Sequence, residues 1–184
     1  MGQKTVRLDR YSNGDYSPGS IIRRVLWYCV CIIFLQTIIP WPSSLKTVIL
    51  RIFGARVGRG FVLKPRVTIK YPWFLCVGDY VWIGEGTWID NMAFVRLGNN
   101  VCISQGAYIL TNNHNYKNET FDLKNESIVI EDGVWVGAKA TVCPGVTLKS
   151  HSVLTVGSVA TSDTEPYTIY QGNPAKPVRA RTIV

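Results

Sequence analysis

From Val57 onward the chain sets an aliphatic residue at every sixth position. The series reads Val57, Leu63, Ile69; Val77, Ile83, Ile89; Leu97, Ile103, Ile109; then Ile130, Val136, Val142, Leu148 and Leu154. Four places later stands a small or β-branched residue, as at Val67, Val81, Thr87, Ala107, Val134, Ala140 and Ser152. Gly often follows the aliphatic position directly, as at Gly58, Gly78, Gly84, Gly98 and Gly137. An amphipathic helix needs a period of about 3.6 and a half-buried strand one of about 2, so neither explains this beat. A parallel β-helix does, with one short strand and one turn per hexapeptide. The aliphatic side chain then points inward and the small one fills the corner.

Val57, Val77 and Leu97 lie twenty residues apart, so three hexads and two extra corner residues complete one coil. Three equal sides predict a triangular prism whose coils stack about 4.8 Å apart. The repeat region is expected over 57–160, with one interruption. Ile109 should be followed by a core residue near position 115, yet the next in phase is Ile130. The inserted segment, about 111–127, is polar, and long loops on a rigid scaffold usually carry function.

Residues 1–56 stand apart from this repeat. Positions 1–20 read as an extended polar arm. Positions 25–39 are almost wholly apolar, follow Arg23 and Arg24, and end at Pro40-Trp41-Pro42. Fifteen residues fall short of the roughly twenty that a spanning helix needs. Two readings remain: a helix covering the open first coil, or an interfacial anchor whose cations meet anionic lipid. Leu45, Val48, Ile49 and Ile52 predict a second helix, with Gly54 as its C-cap. The 161–184 tail holds Pro166, Gly172, Pro174 and Pro177 and is expected to be irregular.

Composition, 47% hydrophobic and 17% charged, is that of a globular protein. Its net charge of +8 is uneven: residues 1–70 hold twelve Lys/Arg against Asp9 and Asp15, whereas the remainder is slightly acidic. Such asymmetry points to an anionic surface or partner. No nucleic-acid motif or aromatic-interleaved basic face accompanies it, which favours lipid over DNA or RNA. The five cysteines are scattered without metal-ligand spacing and read as free thiols of a reducing, cytoplasmic compartment. No metal is expected.

Two histidines occur, His114 and His151. His151 falls at a turn of a regular hexad and reads as inert. His114 coincides with the single break in the repeat, where a neutral imidazole can act as a general base near physiological pH. Two histidines fall short of the three that a zinc hydratase of this architecture needs.

In these features the chain resembles the hexapeptide-repeat acyltransferases. The likeness rests on the repeat, on Asn113-His114 at the insertion, and on Gly133-Val134-Trp135-Val136-Gly137-Ala138. It extends through Pro144-Gly145-Val146 and Gly172-Asn173-Pro174-Ala175-Lys176. Leu50 to Ala55 and Tyr71-Pro72-Trp73 look like the colanic-acid-biosynthesis acetyltransferase subgroup. The resemblance implies an all-β, left-handed parallel β-helix, a homotrimer with sites between subunits, and acetyl-CoA as donor. It implies O-acetylation of a sugar hydroxyl in exopolysaccharide or capsule biosynthesis, on an acceptor that could be lipid-linked, with peripheral contact on the inner face of the cytoplasmic membrane. Another hydroxyl or amine acceptor, or a structural β-helix without catalysis, stands as the alternative.

Carried over by position, His114 becomes the base. Trp135, Ala138 and Val156 line the pantetheine path, and Thr161, Lys176 and Arg179 meet the nucleotide end, where cations suit phosphates. Relatives often carry Ser at the Ala138 position and Lys at the Ser162 position, so this chain departs from the pattern there. Asp90, Asn91 and Asn113 are the acceptor-binding candidates. For Asp90 and Asn91 a plain corner role is no less consistent with the sequence.

Overall fold

The computed structural model describes residues 4–184. Each hexad between Arg56 and Ala160 forms one short strand, and the strands stack in parallel into three sheets. The first face carries strands 56–57, 75–77, 95–97, 128–130 and 147–148; the second 62–63, 82–83, 102–103, 135–136 and 153–154; the third 68–69, 88–90, 108–110, 141–142 and 159–160. Aliphatic positions pair with aliphatic positions: Val57 with Val77, Val77 with Leu97, Leu97 with Ile130, and Ile130 with Leu148. All fourteen are at most 8% exposed, so they form a single core running the length of the prism.

The corners follow from size. Val67, Val81, Thr87, Ala107 and Ala140 are fully buried where the chain bends. One edge is further tied by a polar ladder: Asp79 Oδ1 accepts from Arg59 N (2.9 Å), Asn99 Oδ1 from Asp79 N (2.8 Å) and Asp132 Oδ1 from Asn99 N (2.7 Å). Glycine precedes each ladder residue's partner for a steric reason. A Cβ on Gly78 would stand 2.7 Å from the Gly98 carbonyl carbon, closer than the coils allow.

At the strands of the prism N–H groups such as Gly58 N donate to the carbonyl of the following coil (Val77 O, 2.9 Å), while at the turns the later coil donates back, as Tyr80 N does to Arg59 O (2.8 Å). The first coil therefore presents carbonyls with no strand before them. Two helices supply the donors. Helix α1 (Ile21–Phe34) starts at Ser20, whose hydroxyl accepts from Arg23 N; α2 (Ser43–Ile52) follows. Arg51 Nη2 donates to Val57 O at 2.6 Å, Lys46 Nζ to Leu63 O at 2.9 Å, and Trp27 Nε1 to Ile69 O at 2.8 Å. One side chain thus closes each of the three faces, sparing an open sheet end. Helix α1 stops at Phe34, short of the apolar run's end. Leu35 N and Gln36 N both fold back onto the Cys31 carbonyl, and the prolines beyond cannot continue a helix.

The 161–184 segment, expected to be irregular, instead forms an antiparallel hairpin of strands 168–172 and 175–180 on the second face. Its inner strand pairs in parallel with 153–154. The cause is the mirror of the first coil: the last coil leaves N–H donors open. Thr155 N is taken up by Tyr170 O (2.9 Å), Thr147 N by Asp163 Oδ1 (2.7 Å) and Lys149 N by Thr164 Oγ1 (2.9 Å). Pro174 sits in the turn and Pro177 in the outermost strand, where a missing N–H is tolerated.

Candidate active site

The break in the repeat is filled by a small antiparallel hairpin, strands 112–114 and 123–125, that leaves the prism at the corner between the third and first faces. Thr111 anchors it. This fully buried threonine donates through Oγ1 to Asp90 O (3.0 Å) and accepts from Ala93 N (3.0 Å), while its carbonyl takes Glu126 N (2.8 Å). The hairpin's entry and exit are therefore fixed to the coil beneath.

His114 is held by this hairpin. Its Nδ1 lies 3.0 Å from the Phe121 carbonyl, and its ring stacks on Phe121 at 4.3 Å and 9°. A carbonyl can only accept, so Nδ1 carries the hydrogen and the neutral ring keeps its lone pair on Nε2. That is the tautomer a general base needs. The N-terminal arm lies across the same hairpin: Arg7 N donates to Glu119 O (2.8 Å), Arg10 pairs with Glu119 (3.2 Å), and the Tyr11 ring stands 5.8 Å from His114.

The acceptor candidates differ in what they leave free. Asn91 is fully buried, and its amide is committed to the Tyr71 backbone, accepting from N (3.0 Å) and donating to O (2.6 Å). Asn113 accepts the His114 N–H at 2.8 Å and is otherwise exposed. Asp90 is nearly buried, with Oδ1 2.9 Å from Lys70 Nζ in an ion pair and Oδ2 accepting from Tyr108 Oη at 3.3 Å. Burial, together with the Asp90 charge, pushes the Tyr108 hydroxyl up to about 12, so it stays a donor. Asp90 and the hairpin share Thr111 as a common strut.

Trp135, Ala138 and Val156 line one groove on the second face, about 350 Å³ in volume, together with Ser104, Gln105 and Thr155. Trp135 is fixed by its Nε1 donating to Ser104 Oγ at 2.9 Å. The floor requires Gly137, because a Cβ there would stand 2.6 Å from Val156 N. Ala138 O accepts Gly157 N at 2.9 Å, whereas the N–H groups of Ala138 and Val156 have no backbone partner among the described residues. The groove thus offers an apolar wall with unspent amides, a surface that suits an extended chain carrying amide groups. Arg179 lies in the same register row as Trp135, through Val153 and Ile169. Lys176 and Arg179 are exposed on the outer strand and pair with no carboxylate among the described residues, and Thr161 is exposed just past the last coil.

No hydrogen bond or ring contact joins these two sets among the described residues. The hairpin leaves the corner opposite the second face, and Trp135 looks outward from that face. Three contributors carry no signal in the sequence. Phe121 acts through its carbonyl, Tyr11 comes from the distant arm, and Lys70 reaches Asp90 from the preceding coil. His151 has a turn conformation (φ 57°), stacks on Tyr167 at 4.7 Å and accepts or donates at Ser150 Oγ, which ties it to the scaffold.

No protein-family profile matches the chain. Over 170 residues it is 31% identical to the Escherichia coli (strain K12) protein named as a colanic acid biosynthesis acetyltransferase, WcaF, spanning 90% of this chain and 91% of that one. A hexapeptide-repeat acetyltransferase of Vibrio cholerae O1 biovar eltor, solved with acetyl coenzyme A, has a TM-score of 0.81 at 20% identity, covering 95% of this chain and 97% of its own. A galactoside acetyltransferase solved with coenzyme A has a TM-score of 0.79 at 21% identity, covering 91% and 85%. At such identities the solved structures speak for the fold.

Proposed function

The chain belongs to the hexapeptide-repeat acetyltransferases, and on that premise we propose that it transfers an acetyl group from acetyl-CoA to a sugar hydroxyl in exopolysaccharide or capsule biosynthesis. The observation that carries the chemistry is the His114 Nδ1 to Phe121 carbonyl contact at 3.0 Å, which directs Nε2 outward as a base. Identity to WcaF across nearly the whole length supports the polysaccharide context.

In this reading Nε2 of His114 takes the proton of the sugar hydroxyl as its oxygen attacks the thioester carbonyl carbon. The carbon–sulfur bond breaks, and the imidazolium returns the proton to the departing CoA thiolate. No covalent enzyme intermediate forms, and the cysteines take no part. Asp90 accepts a hydrogen bond from a neighbouring acceptor hydroxyl on a lone pair that Lys70 and Tyr108 leave over, whereas both amide atoms of Asn91 are committed to the Tyr71 backbone. Asn113 orders the backbone of His114. Trp135, Ala138 and Val156 hold pantetheine; Thr161, Lys176 and Arg179 meet the phosphates.

The histidine hairpin leaves the corner between the third and first faces, whereas the groove follows the second face into its corner with the third, and on this reading the complete site is built between two copies. A homotrimer, closed by a threefold axis, gives every hairpin a neighbour's groove. Peripheral membrane contact is a further part of this proposal. The outward side of α1 presents Ile22, Val25, Leu26, Cys29, Ile32 and Ile33, all exposed and uncharged. No helix among the described residues is long and apolar enough to cross a membrane, so such a face would lie in the interface.

The test is to incubate the protein with acetyl-CoA and a panel of oligosaccharides and follow products by mass spectrometry. An acetyl ester on a saccharide, cleaved by hydroxylamine, is the expected product. An amide on an amino sugar would replace the hydroxyl acceptor with an amine.

A further inference from the structure

A groove of about 460 Å³ runs between α1 and the third face, within the range of about 300–1,000 Å³ typical of small-molecule sites. Its walls are apolar, with Val25, Trp27 and Cys31 from the helix and Ile69 and Trp88 from the β-helix. No carboxylate lines it. Helix and strand run in opposite directions here: Gln36 Nε2 donates to Thr68 Oγ1 (3.2 Å) and Trp27 Nε1 to Ile69 O (2.8 Å), which sets Arg24, about one turn before Trp27, towards Lys70. From Arg24 to Cys31 the helix covers about 10 Å at about 1.5 Å per residue.

The cationic end is unevenly satisfied. Lys70 is held by Asp90 at 2.9 Å. Arg24 is not: its Nε is buried and has no hydrogen-bond partner among the described residues. The Arg24 side chain makes no hydrogen bond or ion pair among the described residues, so the guanidinium that lines the groove is unspent, and its planar fork suits phosphate oxygens. The groove is therefore amphiphilic by construction, with an unspent cation at one end and hydrocarbon walls behind it. Its cationic end also lies beside Asp90, through Lys70. Its mouth is formed by Ile21, Val25 and Tyr28, all exposed on one edge of α1.

We propose that this groove binds the lipid phosphate that carries the saccharide acceptor, with the phosphate on Arg24 and Lys70 and the first part of the hydrocarbon chain along Val25, Trp27 and Ile69. The inference rests on reading the chain as a sugar O-acetyltransferase and names the form in which the sugar arrives. Anchoring the phosphate beside Lys70 delivers the attached sugar towards Asp90. The exposed edge of α1 gives the remaining chain a path to the bilayer.

The experiment is calorimetric titration of the full-length protein, without acetyl-CoA, below the critical micelle concentration. Geranylgeranyl phosphate serves as the probe, with geranylgeraniol and inorganic phosphate as its two halves. Saturable binding of one probe per chain is expected, with the alcohol at least tenfold weaker and inorganic phosphate showing no heat. Arg24→Gln should bring the phosphate probe down to the affinity of the alcohol. Val25→Trp, which narrows the mouth without touching the core, should weaken both lipids at least tenfold while circular dichroism stays unchanged. Equal binding by wild type and Arg24→Gln would overturn the proposal, as would the absence of saturable binding, the result expected if a second copy of the chain fills the groove. Adsorption to anionic vesicles that is indifferent to both substitutions, with no binding of the soluble probe, would reduce the groove to bilayer contact. Acetyl transfer to soluble saccharides, measured in parallel, stands or falls separately and should be unaltered in Arg24→Gln.

Discussion

Lys46 is fully buried, and its Nζ donates to the carbonyl of Leu63 at 2.9 Å. The ammonium closes the second face of the first coil, where no earlier strand can pair. Burial, aided by Lys64, lowers its pKa below the ordinary 10.5. Lys46→Met keeps the apolar stem but leaves the Leu63 carbonyl without a donor, a loss of about 1–3 kcal/mol in urea unfolding at neutral pH. The pH dependence has a definite sign. Between the lowered folded pKa and 10.5 the unfolded chain binds the proton more strongly, so wild-type stability should rise with pH across that window. The Met variant should lack this slope.

Cys29 and Cys31 give a local probe of α1. Cys31 is buried, and burial pushes its thiol up to about 11, whereas Cys29 is exposed on the outward side of α1. A maleimide should therefore modify Cys29 rapidly at neutral pH and leave Cys31 untouched in the native protein. Anionic vesicles at low salt should protect Cys29, and high salt should restore its labelling. Labelling of Cys29 that is indifferent to vesicles would place the outward face of α1 away from lipid.

Lys176 and Arg179 pair with no carboxylate among the described residues, and Arg179 stands in the register row of Trp135. Replacing both with Ala should raise the KM for acetyl-CoA and flatten its dependence on salt, because paired charges are what was removed. Turnover at saturating donor should change little. Unaltered donor kinetics would assign the outer strand to subunit packing.

Assembly of the site between copies has its own test. His114→Ala lacks the base, and Ala138→Trp fills the groove, so each should be nearly inactive alone. Co-expressed chains should recover activity, because an interface can pair an intact His114 with an intact groove. Mixed assemblies without activity would mean that each chain builds its own site.

The β-helix was legible because its side chains obey one strict period, from Val57 to Leu154, and burial follows that period without exception. The hairpin at His114 was legible as the place where the period fails. The closures at both ends were not. Arg51, Lys46 and Trp27 act on carbonyls that any residue could present, and the need for them arises only once coils stack. Phe121 orients His114 with a backbone oxygen, which leaves no trace in residue type. The terminal hairpin was hidden by Pro174 and Pro177, which read as breakers but occupy a turn and an edge. Arg24 read as a flank of the apolar run, although its Nε is buried and its side chain lines the groove beside α1.

The central claim is that His114 removes the acceptor's proton, and steady-state kinetics of His114→Ala address it most directly. Turnover should fall by about two to four orders of magnitude, the span expected for a positioned base. The KM for acetyl-CoA should stay near its wild-type value, since in this account the groove residues hold the donor and His114 acts on the acceptor's proton. A variant that keeps near-normal turnover would contradict the account and remove His114 from the chemistry.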